Sequence, residues 1–559
     1  MSMSTRKIYI FVFIIMVKII ASSALFTSRR LMQGIPRKYY VSSATQRLVM
    51  FSSPSFEMTP NEVQMKDDAL KIVNASIRAV DPYTTIKRKM KIIKEGNSSG
   101  TILVQIEDDG AKQIEYDMSQ YDRIRVIAFG KASAQMALAV GEIVSPTGKE
   151  LDGITIIKDD HATTGEIQLL KEKYNIGVRP ASHPVPDARS VAGSNEILQL
   201  AKSADSRTLI LACISGGGSS LFCSPRESLS LDDLIVTNQS LLSSGMPIEK
   251  MNVIRKRLEN GKGGKLAAAS FPAAVLTLVL SDIIGDPTDL IASGPTVPDS
   301  GTSDGWDEAC RLVKEYGLEV NGEYALPDAV LNLLKFGKEG LIMEDTPKSS
   351  HPSFCGSPPL CQTVLVGNNR AAVMAAADEA DRLGYNPVIL GTRYDGEASV
   401  VARTFVAMAE MLSRQREQKT VDGKAVNSHQ IAQLPTALIA GGETVVTIPS
   451  GCNGKGGRNQ ELALSAAIRL KEIGLRDVVL ASCGTDGTDG PTDAAGAIVD
   501  GASVDRIESM CSDTALDALR HHDAYHFFQH AGLDDDSHHL ITTGPSGTNV
   551  ADVMITLIK

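Results

Sequence analysis

The chain has 559 residues, 43% of them hydrophobic and 22% charged, which is enough for two or three domains each with its own core. Its net charge is −10 and no basic face is evident, so nucleic acid is not an expected partner. The eight cysteines include no Cys-x-x-Cys pair; this argues against a zinc site or a disulfide framework and fits reduced thiols in a cytosolic or mitochondrial setting.

No acidic residue precedes Glu57, whereas Arg6, Lys7, Arg29, Arg30, Arg37 and Lys38 are basic. Residues 1–60 are therefore expected to be a targeting leader or tail, with a mitochondrial or cytoplasmic destination. The apolar run 8–17 supports a competing secretory reading. It stops at Lys18, short of the roughly 20 residues a membrane span requires, so no stable span is expected. A helical pattern follows over 62–80. "IRVIAFG" (124–130) reads as a buried strand leading into a helix over 131–144. "DGITIIK", "TLILACI" and "AVLTLVLSD" are further strands with helical stretches between them, such as 190–203. This βαβα alternation predicts a parallel sheet with helices on both faces. The Ser-, Pro- and Cys-rich segment 349–362 reads as an inserted loop. A second series then runs through "TVLVG", "NPVIL", "TALIAGGE", "DVVLASCG" and a last strand near 550–557, interrupted by a polar stretch at 415–433. Two α/β lobes are expected, 61–315 and 316–559, with no internal repeat.

In an open α/β sheet, ligands sit beyond the carboxyl ends of the strands. Five loops take that position: "FGKAS" (129–133), "SGGGSS" (215–220), "SDIIGDPTD" (281–289), "GGETVV" (441–446) and "CGTDGTDGPTDAAG" (483–496). Ser215, Gly216, Gly217, Gly218, Ser219 and Ser220 offer nearly bare backbone, suited to an anion such as phosphate. Yet the P-loop and G-x-G-x-x-G signatures are absent, as are those of protein kinases. Lys131, the group Arg255, Lys256 and Lys262, and Lys455 with Arg458 all lie at or near predicted helix starts or glycine turns. A cation at a helix N-terminus is unfavourable unless an anion joins it. Facing them in sequence are Asp282, Asp286 and Glu443, together with Asp486, Asp489 and Asp493, whose spacing suits the oxygen ligands of Mg²⁺. Glycine loops, cations and carboxylates together point to phosphoryl transfer. His522, His526 and His530 fall at helical spacing, but without the Glu of H-E-x-x-H they read as a half-buried helix face.

"SHPVPDARS", "ISGGGSSL", "NVIRKRLENGKGGKLA", "LSDIIGDPTDLIASGPT", "VGNNRAA", "GGETVV", "GKGGRNQELAL", "GTDGTDGPTDAAGA" and "TGPSGTNVADV" occur in that order. Together they resemble the glycerate kinase family that carries the MOFRL domain, over about 65–559. The resemblance implies a Rossmann-like first lobe, a MOFRL domain at about 435–555 and a site in the cleft between lobes. It also implies ATP, Mg²⁺ and D-glycerate as cofactors and substrate, with 2-phosphoglycerate favoured over 3-phosphoglycerate as product. The family's catalytic lysine falls on Lys131 and its arginine on Arg458. Asp282 is the candidate base, with Asp486, Asp489 or Asp493 also plausible. The substrate carboxylate is left to Arg255, Lys256 or Lys262. Asp286, Asn369, Gly442, Glu443 and Asn459 are further candidates for binding substrate or nucleotide. Two other classes stay open: a Rossmann-type dehydrogenase of small hydroxy acids, and a non-catalytic sugar-phosphate-binding regulator.

Overall fold

Strands buried on both faces need mostly apolar side chains, and the central strands of the first sheet meet that requirement. In the computed structural model, which describes residues 57–93, 100–105, 113–301, 304–342, 344–417, 433–449, 451–530 and 539–559, this sheet has six strands. They are β4 (Arg123–Phe129), β5 (Glu150–Lys158), β6 (Ile176–Ala181), β7 (Thr208–Ile214), β8 (Ala274–Leu280) and β9 (Cys361–Gly367). A small antiparallel sheet precedes them: β1 (Met90–Ile93), β2 (Thr101–Gln105) and β3 (Gln113–Asp117). The six strands are all parallel and lie in the order β6-β5-β4-β7-β8-β9. The chain order reverses between β4 and β7, and the crevice at that reversal is where such sheets bind ligands.

Side chains alternate between the two faces of each strand. Val126 and Leu211 lie on the face covered by helix Ser133–Val144, whereas Ile127, Ile210 and Val275 belong to a separate apolar cluster shared with helix Ala188–Lys202. A separate apolar cluster joins helices Leu231–Ser243, Ile248–Leu258, Gly305–Glu315 and Asp328–Lys338 around Trp306, Leu241 and Ile254.

The second sheet is mixed. It comprises β10 (Asn386–Tyr394), β11 (Thr436–Gly442), β12 (Val478–Gly484), β13 (Gly496–Asp500), β14 (Leu540–Ile541) and β15 (Asp552–Ile558). Its order is β10-β11-β15-β12-β13-β14, with only β10 and β11 parallel. Helices Ala398–Glu417 and Arg458–Ile473 cover one face, and the opposite face joins the same core cluster as the first sheet.

The lobes do not follow the expected cut at 315–316. β9 is the edge strand of the first sheet although it lies beyond that point. Helix Pro60–Ala79, expected with the first lobe, is fastened to the second: Thr59 donates to Asp477 (2.8 Å), Glu62 pairs with Arg476 (2.8 Å) and Lys66 with Asp500 (2.9 Å). The leader expected over 1–60 lies outside the described residues as far as 56, as does most of the polar stretch 415–433. The expected inserted loop at 349–362 is tied down, with Ser353 donating to the Ala267 carbonyl (3.2 Å). All eight cysteines are free. Among the described residues, no helix is long and apolar enough to cross a membrane.

Candidate active site

The loops after β4 and β7 are laced together at the strand-order reversal. Lys131 N–H donates to the Gly216 carbonyl (2.9 Å), Ala132 N–H to Ser215 Oγ (3.0 Å) and Ser215 N–H to the Phe129 carbonyl (3.2 Å). Gly130 allows this approach: its φ is +125°, and a Cβ there would lie 2.2 Å from Ser215 Oγ. The lacing occupies Ser215 in holding the loop. Gly218 opens the short helix Gly218–Leu221, and Ser220 Oγ turns back to the Gly217 carbonyl. Ser219 Oγ lies 3.4 Å from Ser293 Oγ. Among the described residues, the N–H groups of Gly216, Gly217 and Ser219 donate to no protein acceptor. They form the bare cradle that the sequence suggests.

Asp282, just past the end of β8, rests against this cradle. A Cβ on residue 216 would come within 2.0 Å of Asp282 Oδ2, so only glycine lets the carboxylate sit there. Burial pushes the Asp282 carboxyl up to about 6, with Lys131 pulling it down and Glu443 and Asp486 adding to the rise. Lys131 Nζ lies 3.5 Å from Asp486 Oδ2, and Asn549 Nδ2 donates to Asp282 Oδ2 at 3.4 Å. Both contacts cross from one lobe to the other. His183 lies beside Gly217, and burial together with the Lys131 charge pushes its imidazole down to about 4.

On the second lobe, Arg458 makes a two-pronged contact with Asp552, through Nε (2.6 Å) and a terminal nitrogen (2.9 Å). Its other terminal nitrogen lies 3.3 Å from Glu443. Burial works against the Arg458 charge, but Asp552 and Glu443 outweigh it and hold the proton more tightly than usual. Asp552 is fully buried at the start of β15. Sequence reasoning did not single it out; a lone acid opening the apolar run "VMITLI" was the available signal. Asn459 also serves this corner, donating to Asp552 (3.0 Å) and accepting from Ser482 (2.6 Å). Asn369 is buried beside it, donating to the Val550 and Asp552 carbonyls at 2.9 Å each. Gly442 runs against the Tyr394 backbone. Asp286 accepts from Asn368 (2.7 Å). Asn369, Asn459, Gly442 and Asp286 are thus committed to shaping the cleft.

The expected trio Asp486, Asp489 and Asp493 does not form one metal corner. Asp489 is 2% exposed, and both its oxygens accept from the first turn of helix Arg458–Ile473: Asn459 N–H at 3.2 Å and Gln460 N–H at 2.9 Å. It is a helix cap contributed from another loop. Asp493 is exposed and accepts from Tyr525 (2.6 Å). Among the described residues, no three His, Cys, Asp or Glu side chains converge to hold an ion. Asp486 alone of the trio faces Lys131. An Asp489→Ala variant is expected to lose about 2 kcal/mol of stability, through the lost cap and the donors left unpaired. Denaturant unfolding measures this.

The three candidate cations separate in the same way. Lys256 is 4% exposed and bonded to Asp299 (3.1 Å). Lys262 is 2% exposed, held by Glu259 and the Ser219 carbonyl. Both carry internal partners that the sequence did not reveal. Arg255 instead borders the cleft. The histidines of the 522–530 segment each face a separate acid, namely Glu461, Asp523 and Asp513.

A parallel sheet with a glycine cradle at its strand-order reversal, facing a second lobe that supplies an arginine and acids, defines a two-lobed α/β protein with a polar cleft between the lobes. The chain belongs to the glycerate kinase family that carries the MOFRL domain. It matches the domain of unknown function DUF4147 over 68–335 and the MOFRL family over 436–552. It is 36% identical to a D-glycerate 2-kinase of Thermotoga maritima over 481 residues, covering 86% of this chain and 99% of that protein. A crystal structure of a glycerate kinase from the same organism superposes with a TM-score of 0.69 at 33% identity, covering 89% of this chain and 100% of that one. A protein of Agrobacterium vitis named as a hydroxypyruvate reductase is 37% identical over 441 residues, 78% of this chain and 99% of that one.

Proposed function

We propose that the protein transfers the γ-phosphoryl group of ATP to D-glycerate, giving 2-phosphoglycerate. The observation that carries this reading is the convergence of Lys131, Asp282 and the unpaired Gly216 and Gly217 N–H groups at one point of the cleft. Phosphate oxygens fit the N–H cradle, where the Lys131 ammonium offsets the charge that gathers on the transferring group. The substrate hydroxyl faces Asp282, whose carboxylate accepts its proton as the oxygen attacks phosphorus. A base with a pKa near 6 is ionised at neutral pH and still able to take a proton. Arg458, fixed by Asp552, presents its charge from the opposite lobe. Mg²⁺ usually keeps only one or two carboxylate ligands beside substrate phosphate, and Asp486 is the acid suited to that duty; the ion would supply further charge neutralisation. A soluble enzyme of the mitochondrion or cytoplasm is the setting proposed from the basic leader.

The A. vitis relative's name invites a reductase reading. The turn after β4 opposes it, since it reads "FGKASAQ" with a lysine where a dinucleotide fold needs its G-x-G-x-x-G. The purified protein is expected to release ADP from ATP only when D-glycerate is present, and to leave NADH unchanged with hydroxypyruvate. NADH oxidation without glycerate-dependent ADP release would replace the kinase reading with the reductase one.

A further inference from the structure

Beyond the cradle lies a cavity of about 400 Å³, bounded by the loop 183–186, the glycine–serine loop and helices Leu231–Ser243 and Ile248–Leu258. Its walls are largely apolar: Val185, Ile235, Leu242, Ile248 and Leu290. Val185 and Leu242 remain 47% and 62% exposed at its mouth. A three-carbon hydroxy acid is too small and too polar to use such walls, whereas the flat face of a nucleobase matches them.

Arg255 supplies the polar end. Its Nε donates to Asn238 Oδ1 (2.7 Å), which fixes the plane of the guanidinium. Among the described residues, no carboxylate lies within 4 Å of it and its terminal nitrogens have no acceptor. The nearby Glu259 is taken by Lys262 and the Ser224 N–H. Arg255 is thus a half-buried cation without a counter-ion, on the wall that also carries Ser219 and Ser220. A planar fork of this kind pairs with phosphate oxygens.

We propose that this cavity is the nucleotide end of the site, with Arg255 pairing the polyphosphate and the apolar walls taking the base. The inference rests on the kinase reading above and adds to it which substrate this cavity serves. Glycerate is then left to the second-lobe side of Asp282.

Calorimetric titration of the full chain with ADP tests it, using the wild type, Arg255→Met and Ile235→Trp, with melting midpoints as the check on folding. The first variant removes the charge and the second fills the cavity from its wall. Each is expected to weaken ADP binding by roughly ten- to a hundredfold. The KM for D-glycerate should stay within about twofold in whichever variant keeps the wild-type midpoint. Unchanged ADP affinity in a folded variant overturns the proposal, as does a rise in the KM for glycerate that matches or exceeds the loss of ADP affinity. A wild type that binds no ADP overturns the kinase reading itself, and this inference with it.

Discussion

Asp282→Asn is expected to lower turnover by roughly two to four orders of magnitude, the range for loss of a positioned general base. The amide keeps the shape beside Gly216 and the contact with Asn549, but it cannot take a proton. Folding should not suffer. The carboxyl is raised from 3.8 to about 6 in the folded chain, so the native state holds this proton more tightly than the unfolded one. On this residue's account, stability falls as pH rises from about 4 to about 6, and above that range the charged carboxylate is a burden the amide removes. Activity runs the opposite way: wild-type kcat/KM should rise with pH through about 6 as the base ionises, and this limb should vanish from the variant. A variant with near-normal turnover and an unchanged acid limb would remove Asp282 from the chemistry.

Lys131→Met is expected to cost roughly two to three orders of magnitude in turnover, the scale for one preorganised electrostatic partner. Methionine keeps much of the aliphatic stem, so packing against Gly217 survives. Two titrations distinguish a lost charge from a damaged fold. The Lys131 charge helps hold His183 down to about 4, so the histidine should titrate higher in the variant, as read by proton NMR. The same charge restrains the rise of Asp282, so the acid limb of the rate profile should move to higher pH. Neither shift is expected if the stem merely covers apolar surface.

The sequence made some of this fold plain for a physical reason. β4, β7 and β8 are covered on both faces, so each appears as a largely apolar run, and the glycines just beyond β4 and β7 mark where the loops must approach. β6 was hidden because "IGVRPA" is a sheet edge carrying an arginine and a proline. β9 and helix Pro60–Ala79 were visible as elements, but their lobes were not, because partner choice depends on contacts such as Glu62 with Arg476, more than 400 residues apart. The site divides likewise. Lys131, Asp282 and the glycine loop were legible because strand ends dictate their place. Arg255, Lys256 and Lys262 look alike in sequence, and only Asp299 and Glu259, folded against the two lysines, separate them. The spacing of Asp486, Asp489 and Asp493 suited a metal loop equally well as the helix cap that Asp489 provides.

The central claim is that this cleft passes a phosphoryl group from ATP to the 2-hydroxyl of D-glycerate. Phosphorus NMR of the product formed from these two compounds tests it most directly. The account predicts a new phosphomonoester resonance coupled to the single proton on C2, appearing together with ADP. A phosphomonoester coupled to the two protons on C3 would contradict the assigned position, and the absence of any phosphomonoester would contradict the activity.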